Sequence, residues 1–465
     1  MSVWIERILV VAVFLMAVPA VFAQSVVLAD GGVEFPDGSV QSVAAMSVPG
    51  PLPESGQSSC FDAAGNLTTC GVGVGAGQEG HIQPGVEWPI PRFTENGDGT
   101  VTDNMTGLIW LENANCAGTT FDFDGALSFA NTLWDGSTSH AGGDCGLSDG
   151  SVTGDWRVPN MLEAVSLLDQ GYFDPGLPNT TGTGQWTAGD PFTNVQSSYW
   201  TSTFNPQNYQ FAHYLSFFPR LSSNWKTALY SVWPVRGPSD SSVAPAQPVL
   251  ILGDGGIEFP DGSVQSTAGG APRVVVPKTG QASCYSMAGG SISCAGTGQD
   301  GDHQAGVAWP NPRFTENEDG TVTDNLTSLV WLEDANCNGL RNWASALTYV
   351  NTLFDGSLTS GGVGGDCGLS DGSLPGEWRL PTAAESYSLA YMDTQNPAIP
   401  NTAGTGQWTN GDPFLNIVTG NVHWWTSTSL AWNTSSAHGW FPRSMLSDQA
   451  GKSNAYYVWP VRASR

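Results

Sequence analysis

The sequence is poor in positive charge. Its 465 residues include 15 lysines and arginines against 42 aspartates and glutamates, a formal net charge of −27, and the three lysines are Lys226, Lys278 and Lys452. Such a field repels nucleic acid and anionic membranes, and three lysines cannot build a large basic patch. We therefore expect no nucleic-acid partner and no sulfated or phosphorylated ligand.

Long apolar runs are also scarce, with one exception near the N-terminus. Arg7 precedes an apolar run over residues 8–18, and Val21 and Ala23 stand before Gln24. The run is short for a membrane span, and small residues after it are typical of a signal-peptidase site. We expect residues 1–23 to be a signal peptide and the mature chain to lack a transmembrane anchor. It would be secreted or at the cell surface, including a Gram-negative outer surface or periplasm. An uncleaved anchor is the alternative.

A repeat organises the rest of the chain. Residues 92–116, RFTENGDGTVTDNMTGLIWLENANC, return as residues 313–337 with five changes. Asp-Gly between β-prone residues is a strong hairpin signal, since Gly adopts positive φ without steric cost. The stretch predicts three antiparallel strands at 92–94, 100–102 and 108–111, and the same in the second copy.

Further paired segments follow each meander. Residues 122–133 and 342–353 have the apolar spacing of an amphipathic helix. The matched segments DWRVPNMLE and EWRLPTAAE predict a strand, a proline stop and a second helix with a capping box at Asn160 and Glu163, and at Thr382 and Glu385. Closing strands are predicted near 199–203, 217–220 and 230–236, with partners at 424–428, 440–443 and 457–462.

Eight cysteines fall into two matched sets of four. Four cysteines allow three pairings, and in an exported chain they are expected to form disulfides. We expect the local pairs Cys60–Cys70, Cys116–Cys145, Cys284–Cys294 and Cys337–Cys367. A zinc site is disfavoured, because no C-x-x-C or Cys/His cluster occurs.

The ordered motifs resemble a known family. Four motifs occur in the order G-D-G-T-V-x-D-x-x-T-x-L-x-W, D-W-R-x-P-x-x-x-E, W-T-S-T and V-W-P-V-R. Together they resemble the Lcl C-terminal domain family of exported bacterial proteins, which is named after a collagen-like adhesin. The resemblance covers about residues 56–236 and 280–462. It implies two tandem copies of one domain and an adhesion function. That adhesin is thought to engage acidic glycans, which the charge of this chain disfavours.

A fainter likeness concerns the fold. The W-R-x-P-x-x-x-E corner and a closing V-R strand look similar to the C-type-lectin-like fold, but the calcium signature of the lectins is absent. We expect an α+β fold: two disulfide-bonded domains, 56–236 and 280–465, each mostly antiparallel β with two short helices. Short hairpins at 24–46 and 252–270 resemble stalk segments of phage tail fibres, and 237–251 reads as a linker. A homotrimer is the alternative that these stalks suggest.

Two tryptophans are the candidate ligand residues. Most tryptophans recur at strand positions, which favours the core. Trp186 and Trp408 instead lie in the repeated Gly-rich loops 179–192 and 401–414. An aromatic ring on a polar loop suits stacking on a sugar.

Calcium is the one cofactor that the motifs suggest. Asp98 and Asp103, with Asp319 and Asp324, could form a partial site, although the spacing departs from an EF-hand and a plain hairpin turn is favoured. Repeated cations such as Arg92, Arg157 and Arg236 are expected in ion pairs.

No catalytic motif of the types H-E-x-x-H or G-x-S-x-G occurs. Asp155 and Glu163 make a poor glycosidase pair, because Glu163 has a capping role and position 155 is matched by Glu377. We therefore expect a non-catalytic adhesion or binding protein that recognises glycans or other extracellular surface components. The alternatives are a structural, trimeric assembly protein and an uncharacterised enzyme.

Overall fold

The computed structural model describes residues 52–137, 145–237, 274, 276–337, 339–357 and 367–464, with six short strands outside these ranges. The expected signal peptide and most of the linker at 237–251 lie outside the described residues. Residues 1–46 and 243–270 form one compact unit, and residues 47–242 and 271–465 form another. No helix in the described part of the chain is long and apolar enough to cross a bilayer.

The smaller unit contains two three-stranded antiparallel sheets. The strands of one lie in the predicted stalk at 24–46, whereas the first strand of the other, residues 250–251, falls in the predicted linker 237–251 and not in the stalk at 252–270. The strands of the first are β1 (Val26–Val27), β2 (Val33–Glu34) and β3 (Val40–Gln41).

The first copy of the repeat follows. Its strands are β4 (Cys60–Phe61), β5 (Leu67–Thr68), β6 (Phe93–Glu95), β7 (Thr100–Asp103), β8 (Ile109–Leu111), β9 (Ser198–Phe204), β10 (Phe211–Ser216), β11 (Arg220–Trp225) and β12 (Val235–Arg236). Its helices are α1 (Glu79–Ile82), α2 (Phe123–Asn131) and α3 (Met161–Ser166). Its sheets are β12-β8-β7-β6, β11-β10-β9 and β4-β5.

The second sheet of the smaller unit has β13 (Leu250–Ile251), β14 (Ile257–Glu258) and β15 (Val264–Gln265). The second copy then has β16 (Cys284–Tyr285), β17 (Ser291–Ile292), β18 (Phe314–Glu316), β19 (Thr321–Asp324), β20 (Leu329–Leu332), β21 (Leu340–Arg341), β22 (Trp424–Leu430), β23 (Asn433–Trp440), β24 (Ser447–Gly451), β25 (Tyr456–Tyr457) and β26 (Val461–Ala463). Its helices are α4 (Asp300–His303), α5 (Trp343–Asn351) and α6 (Ala383–Ser388). Its sheets are β18-β19-β20-β26, β21-β25-β22-β23-β24 and β16-β17.

Local sequence explains the meanders and the helix starts. Gly97 and Gly99 have φ of 74° and 85°, as the tight turn between β6 and β7 requires. The predicted capping boxes are present at Asn160 with Glu163, before α3, and at Thr382 with Glu385, before α6. The expected α+β class, mostly antiparallel with short helices, is confirmed, although each copy has three α-helices among the described residues and not the two predicted, because α1 and α4 have four residues each and no apolar periodicity.

The closing strands differ from the prediction. Residues 217–219 form a turn between β10 and β11, and of residues 230–236 only the last two lie in a named strand. Pro219 lacks a backbone donor, so it suits a turn better than a central ladder position. The strands on either side, β10 and β11, contain many polar residues and were not recognised.

Tryptophans fill both cores. Trp110 packs edge-on against Trp233, with ring centroids 5.5 Å apart, and Trp331 packs the same way against Trp459 at 5.2 Å. All four are at most 1% exposed. The four disulfides link the cysteine pairs that the sequence predicted.

The two copies pack together by exchanging segments. We call residues 57–83 arm 1 and residues 281–304 arm 2. In arm 1, the Gln57 side chain pairs with the backbone of Ser429 in β22, at 2.7 and 2.9 Å. In arm 2, the Gln281 side chain pairs with the backbone of Phe204 in β9, at 3.1 and 3.3 Å. Each arm therefore precedes one copy in sequence and lies on the other copy in space.

Candidate functional site

The two Gly-rich loops have the same backbone geometry. In the first, the Asn179 Oδ1 atom accepts hydrogen bonds from the amides of Thr183 at 3.1 Å and Gly184 at 3.2 Å. The Asp190 carboxylate accepts from the Thr180 amide at 3.0 Å. Asn401 and Asp412 make the corresponding bonds in the second loop. Side chains of the loop therefore hold its backbone in one shape, in both copies.

Trp186 and Trp408 are half-buried in these loops. The indole N–H of Trp186 donates to the Phe192 carbonyl at 3.0 Å, and that of Trp408 donates to the Phe414 carbonyl at 2.9 Å. Each ring also packs against the core of its copy. The indole N–H is therefore engaged within the loop, and a ligand could meet only the exposed part of the ring.

The loop that carries each ring is polar and has one charged residue. Thr181 and Thr183 are exposed and their hydroxyl oxygens lie 2.7 Å apart, and Thr187 is exposed next to Trp186. Asp190 is the single charged residue in the first loop, as Asp412 is in the second. Such a loop offers a ligand hydrogen bonds from the hydroxyl groups and an apolar face from the aromatic ring.

Two of the four candidate calcium ligands are engaged elsewhere. Asp103 is fully buried, and its carboxylate accepts hydrogen bonds from the Nε and Nη2 atoms of Arg92 at 2.8 and 3.1 Å. It also accepts from the Met105 amide and the Thr106 hydroxyl. Asp324 has the same environment around Arg313. The carboxylate oxygens of Asp103 and Asp324 already accept hydrogen bonds from an arginine and two further donors. The prediction that these two residues bind calcium is therefore corrected: they are partners in buried ion pairs.

Asp98 and Asp319 are half-buried at the hairpin turns. The Asp98 Oδ1 atom accepts from the Thr100 hydroxyl at 2.6 Å, which is a turn-stabilising contact. Burial, followed by repulsion from Glu95 and Asp98, raises the pKa of nearby Glu112. Within the described ranges, no group of three or more His, Cys, Asp or Glu residues could hold a metal ion. A calcium role for Asp98 and Asp319 stays a prediction.

Glu163 has a structural environment. Its two carboxylate oxygens lie 2.5 Å from the Nη1 and Nη2 atoms of Arg157, and one of them accepts from the Asn160 amide. Glu163 is 1% exposed, and Glu385 pairs with Arg379 in the same way. These contacts hold the start of each helix and leave the carboxylates inaccessible to a substrate.

The expected ion pairs of the repeated cations are confirmed for three positions per copy. They are Arg92–Asp103, Arg157–Glu163, Arg236–Asp149, Arg313–Asp324, Arg379–Glu385 and Arg462–Asp371. Lys226 differs, since its ammonium group donates to the Tyr285 carbonyl of arm 2 at 2.7 Å.

Arg341 is a residue that the sequence motifs do not single out. Its guanidinium lies 4.2 Å from the ring centre of Tyr349, where the first copy stacks Phe121 on Phe129. Both residues, with Ala344, Ser345 and Thr348, line an open depression of about 370 Å³. The sequence shows that arginine in the second copy replaces phenylalanine in the first. It does not show that this arginine stacks on Tyr349.

A small cavity lies where the two copies meet. Leu162 and Val165 of α3 line it together with Ala384 and Tyr387 of α6, and its volume is about 50 Å³. Pockets for drug-sized ligands usually measure about 300–1,000 Å³, so this cavity is too small for a sugar.

These features define a tandem, disulfide-bonded α+β protein with matched polar loops. Residues 99–236 and 320–462 match the family model of the Lcl C-terminal domain, and together they make up more than half of the chain. The chain belongs to the Lcl C-terminal domain family and carries two tandem copies of the domain. Neither a curated protein nor a solved structure matches it, so the C-type-lectin-like resemblance stays a prediction.

Proposed function

We propose that this chain is an exported, non-catalytic binding protein whose two Trp loops hold uncharged glycans. The observation that carries the proposal is the repeated loop geometry around Trp186 and Trp408. Each loop keeps an indole ring in one orientation through its N–H bond, beside exposed threonine hydroxyls. A ring that is already ordered loses little conformational freedom when a ligand stacks on it.

Charge supports the choice of uncharged ligands. The formal net charge of −27 repels sulfated and other acidic glycans at long range. The Trp loops contain no cation that could override this field.

Export is supported by the cysteines. Four disulfides occur among the described residues, which is typical of proteins in oxidising compartments. The binding surface would therefore act outside the cytoplasm, on the cell surface or in secreted form. The absence of a catalytic role is supported by the ion-paired, buried state of Glu163 and Glu385.

The test is a titration of residues 24–465 with a neutral oligosaccharide selected from an array. We expect Trp186→Ala and Trp408→Ala each to weaken one site at least about tenfold, as for a central aromatic contact, and the double variant to weaken both sites. Trp134→Ala and Phe354→Ala are matched controls, because these aromatics are 48% and 39% exposed away from the loops. Unchanged binding in the double variant would exclude the loops as the site.

A second function is favoured by the smaller unit. It contains two separate three-stranded sheets, so a structural assembly role is the alternative. Sedimentation at several concentrations distinguishes the two functions. A tight trimer that binds no glycan would support assembly, and a monomer that binds glycans would support the first proposal.

A further inference from the structure

Each exchanged arm inserts one carboxyl group into the other copy. Glu79, the first residue of α1 in arm 1, is 1% exposed and accepts a hydrogen bond from the Thr428 hydroxyl in β22. Asp300, the first residue of α4 in arm 2, is 1% exposed and accepts from the Thr203 hydroxyl in β9 at 2.6 Å. The two arms therefore use equivalent contacts.

Each of these threonines also holds the start of a helix. The Thr428 hydroxyl oxygen accepts from the Ala383 amide of α6 at 2.9 Å, and the Thr203 oxygen accepts from the Met161 amide of α3 at 3.0 Å. A threonine that accepts from an amide can donate its one proton to the carboxyl group. The arm, the sheet and the helix of the other copy thus meet at one hydroxyl.

Among the residues that the structure describes, each cation beside the inserted carboxyls already has its own ion pair. The charged groups that face Glu79 are Glu385 and Arg379, and those that face Asp300 are Glu163 and Arg157. Each arginine is already bidentate to its own glutamate. The neighbouring pair is therefore close to neutral overall, and a second buried carboxylate gains little from it.

Hydrogen bonding to Glu79 is also incomplete for an ion, although Ser55 favours its ionised form. Asp300 accepts from two hydroxyl groups, those of Thr203 and Thr279, the latter at 2.7 Å. The Glu79 Oε1 atom is buried and has no hydrogen-bond partner among the described residues. A buried carboxylate with an unsatisfied oxygen is costlier than the neutral acid, because burial penalises the charged form most.

We propose that Glu79 and Asp300 form a proton-dependent latch: each exchanged arm stays seated on the other copy while its carboxyl group is protonated, and opens more readily once the proton is lost. The chain would then hold its two copies most tightly under acidic conditions. Opening of an arm would expose the β9 or β22 surface that the arm covers.

The pKa values agree with the geometry. Burial, as the main cause, raises the pKa of Glu79 from 4.5 to about 7 and that of Asp300 from 3.8 to about 6. The seated arm therefore binds more protons than the open arm. Its stabilisation is complete below the open-state pKa and is lost as pH rises through the seated pKa. The opening constant can rise by up to about tenfold per pH unit for each carboxyl.

Hydrogen exchange of the full chain between pH 4.5 and 7.5, corrected for the intrinsic chemical rate, tests the latch. Protection in arm 2 should fall with pH and level off near pH 6, whereas protection in arm 1 should keep falling to about pH 7. Glu79→Gln should flatten the profile of arm 1 alone, and Asp300→Asn that of arm 2 alone, because an amide stays neutral.

Asp302→Asn is the matched control, since Asp302 lies in α4 but accepts from the Gly298 amide of its own arm. It should leave both profiles unchanged. Corrected protection of both arms that does not depend on pH in the unmodified chain would overturn the proposal, whether or not the variants fold. So would a Glu79→Gln variant that keeps the original slope in arm 1.

Discussion

Arg92 and Asp103 form a fully buried ion pair whose contribution to stability can be measured. Removing one partner leaves the other charge buried and uncompensated, so Arg92→Met should lower the free energy of unfolding by about 3–5 kcal/mol. The double variant Arg92→Met with Asp103→Leu should recover part of that loss, because no unpaired charge remains. The recovery is partial, since the Met105 amide and the Thr106 hydroxyl lose their acceptor. Denaturant unfolding measures both values.

Glu87→Gln is the control for this experiment, because Glu87 is exposed and its substitution should change stability by less than about 0.5 kcal/mol. Equal losses in the single and double variants would contradict the ion-pair account.

The sequence pattern predicts the structural role of the Glu163 carboxylate but not that of the Asp103 carboxylate. Glu163 was assigned to a capping box from its spacing alone, and the structure confirms that box. The sequence pattern predicts a shared calcium site for Asp98 and Asp103, because the two residues lie in the same turn-rich segment. The burial of Asp103 against Arg92, 11 residues earlier, depends on how β6 and β7 pack on α3, and the sequence pattern does not report that packing.

At the scale of elements, the two capping boxes form a matched pair with one difference. Asn160 and Thr382 both cap a six-residue helix, but the Asn160 side chain also donates to the Ala305 carbonyl next to arm 2 at 3.0 Å. Thr382→Ala should cost about 1 kcal/mol of stability as a lost cap. Asn160→Ala should cost about 1 kcal/mol more, for the lost buried hydrogen bond.

Asn160→Thr separates the two contributions in the same denaturation assay, since threonine keeps the cap and loses the bond to Ala305. Equal costs for Asn160→Ala and Thr382→Ala would show that the contact between the copies contributes nothing.

Elements with strong local signals were predictable. The helix over 122–133 was expected and α2 spans Phe123–Asn131, and the Asp-Gly turns placed β7 and its partners to within about one residue. The strands β10 and β11 were not predicted, because sequences such as RLSSNW lack the alternation of a half-buried strand. These strands form through tertiary pairing instead, β10 with β9 and β11 with β10.

At the scale of the whole molecule, the exchanged arms should hold the copies together without a covalent link. Apolar residues of both copies, including Leu162 and Leu221 with Tyr387 and Met392, belong to one buried cluster. A protease site engineered between residues 239 and 242, once cut, should therefore leave two fragments that elute together in gel filtration. Separate elution of the fragments under native conditions would contradict the shared core.

The arrangement of the copies could not have been read from the sequence. A repeat with its own cysteines and its own core pattern predicts domains that are complete in themselves. The two arms have matching sequences, and each precedes one copy. Nothing in the sequence of an arm therefore indicates which copy it contacts. The exchange is a tertiary property that depends on the geometry of β9 and β22.

The most direct measurement is a glycan array probed with residues 24–465, once with calcium and once with a chelator. The account predicts binding to uncharged glycans that the chelator does not change, because the Trp loops contain no metal site. Binding that the chelator abolishes would instead favour Asp98 and Asp319 as calcium ligands. No binding from folded protein would contradict the glycan-binding function.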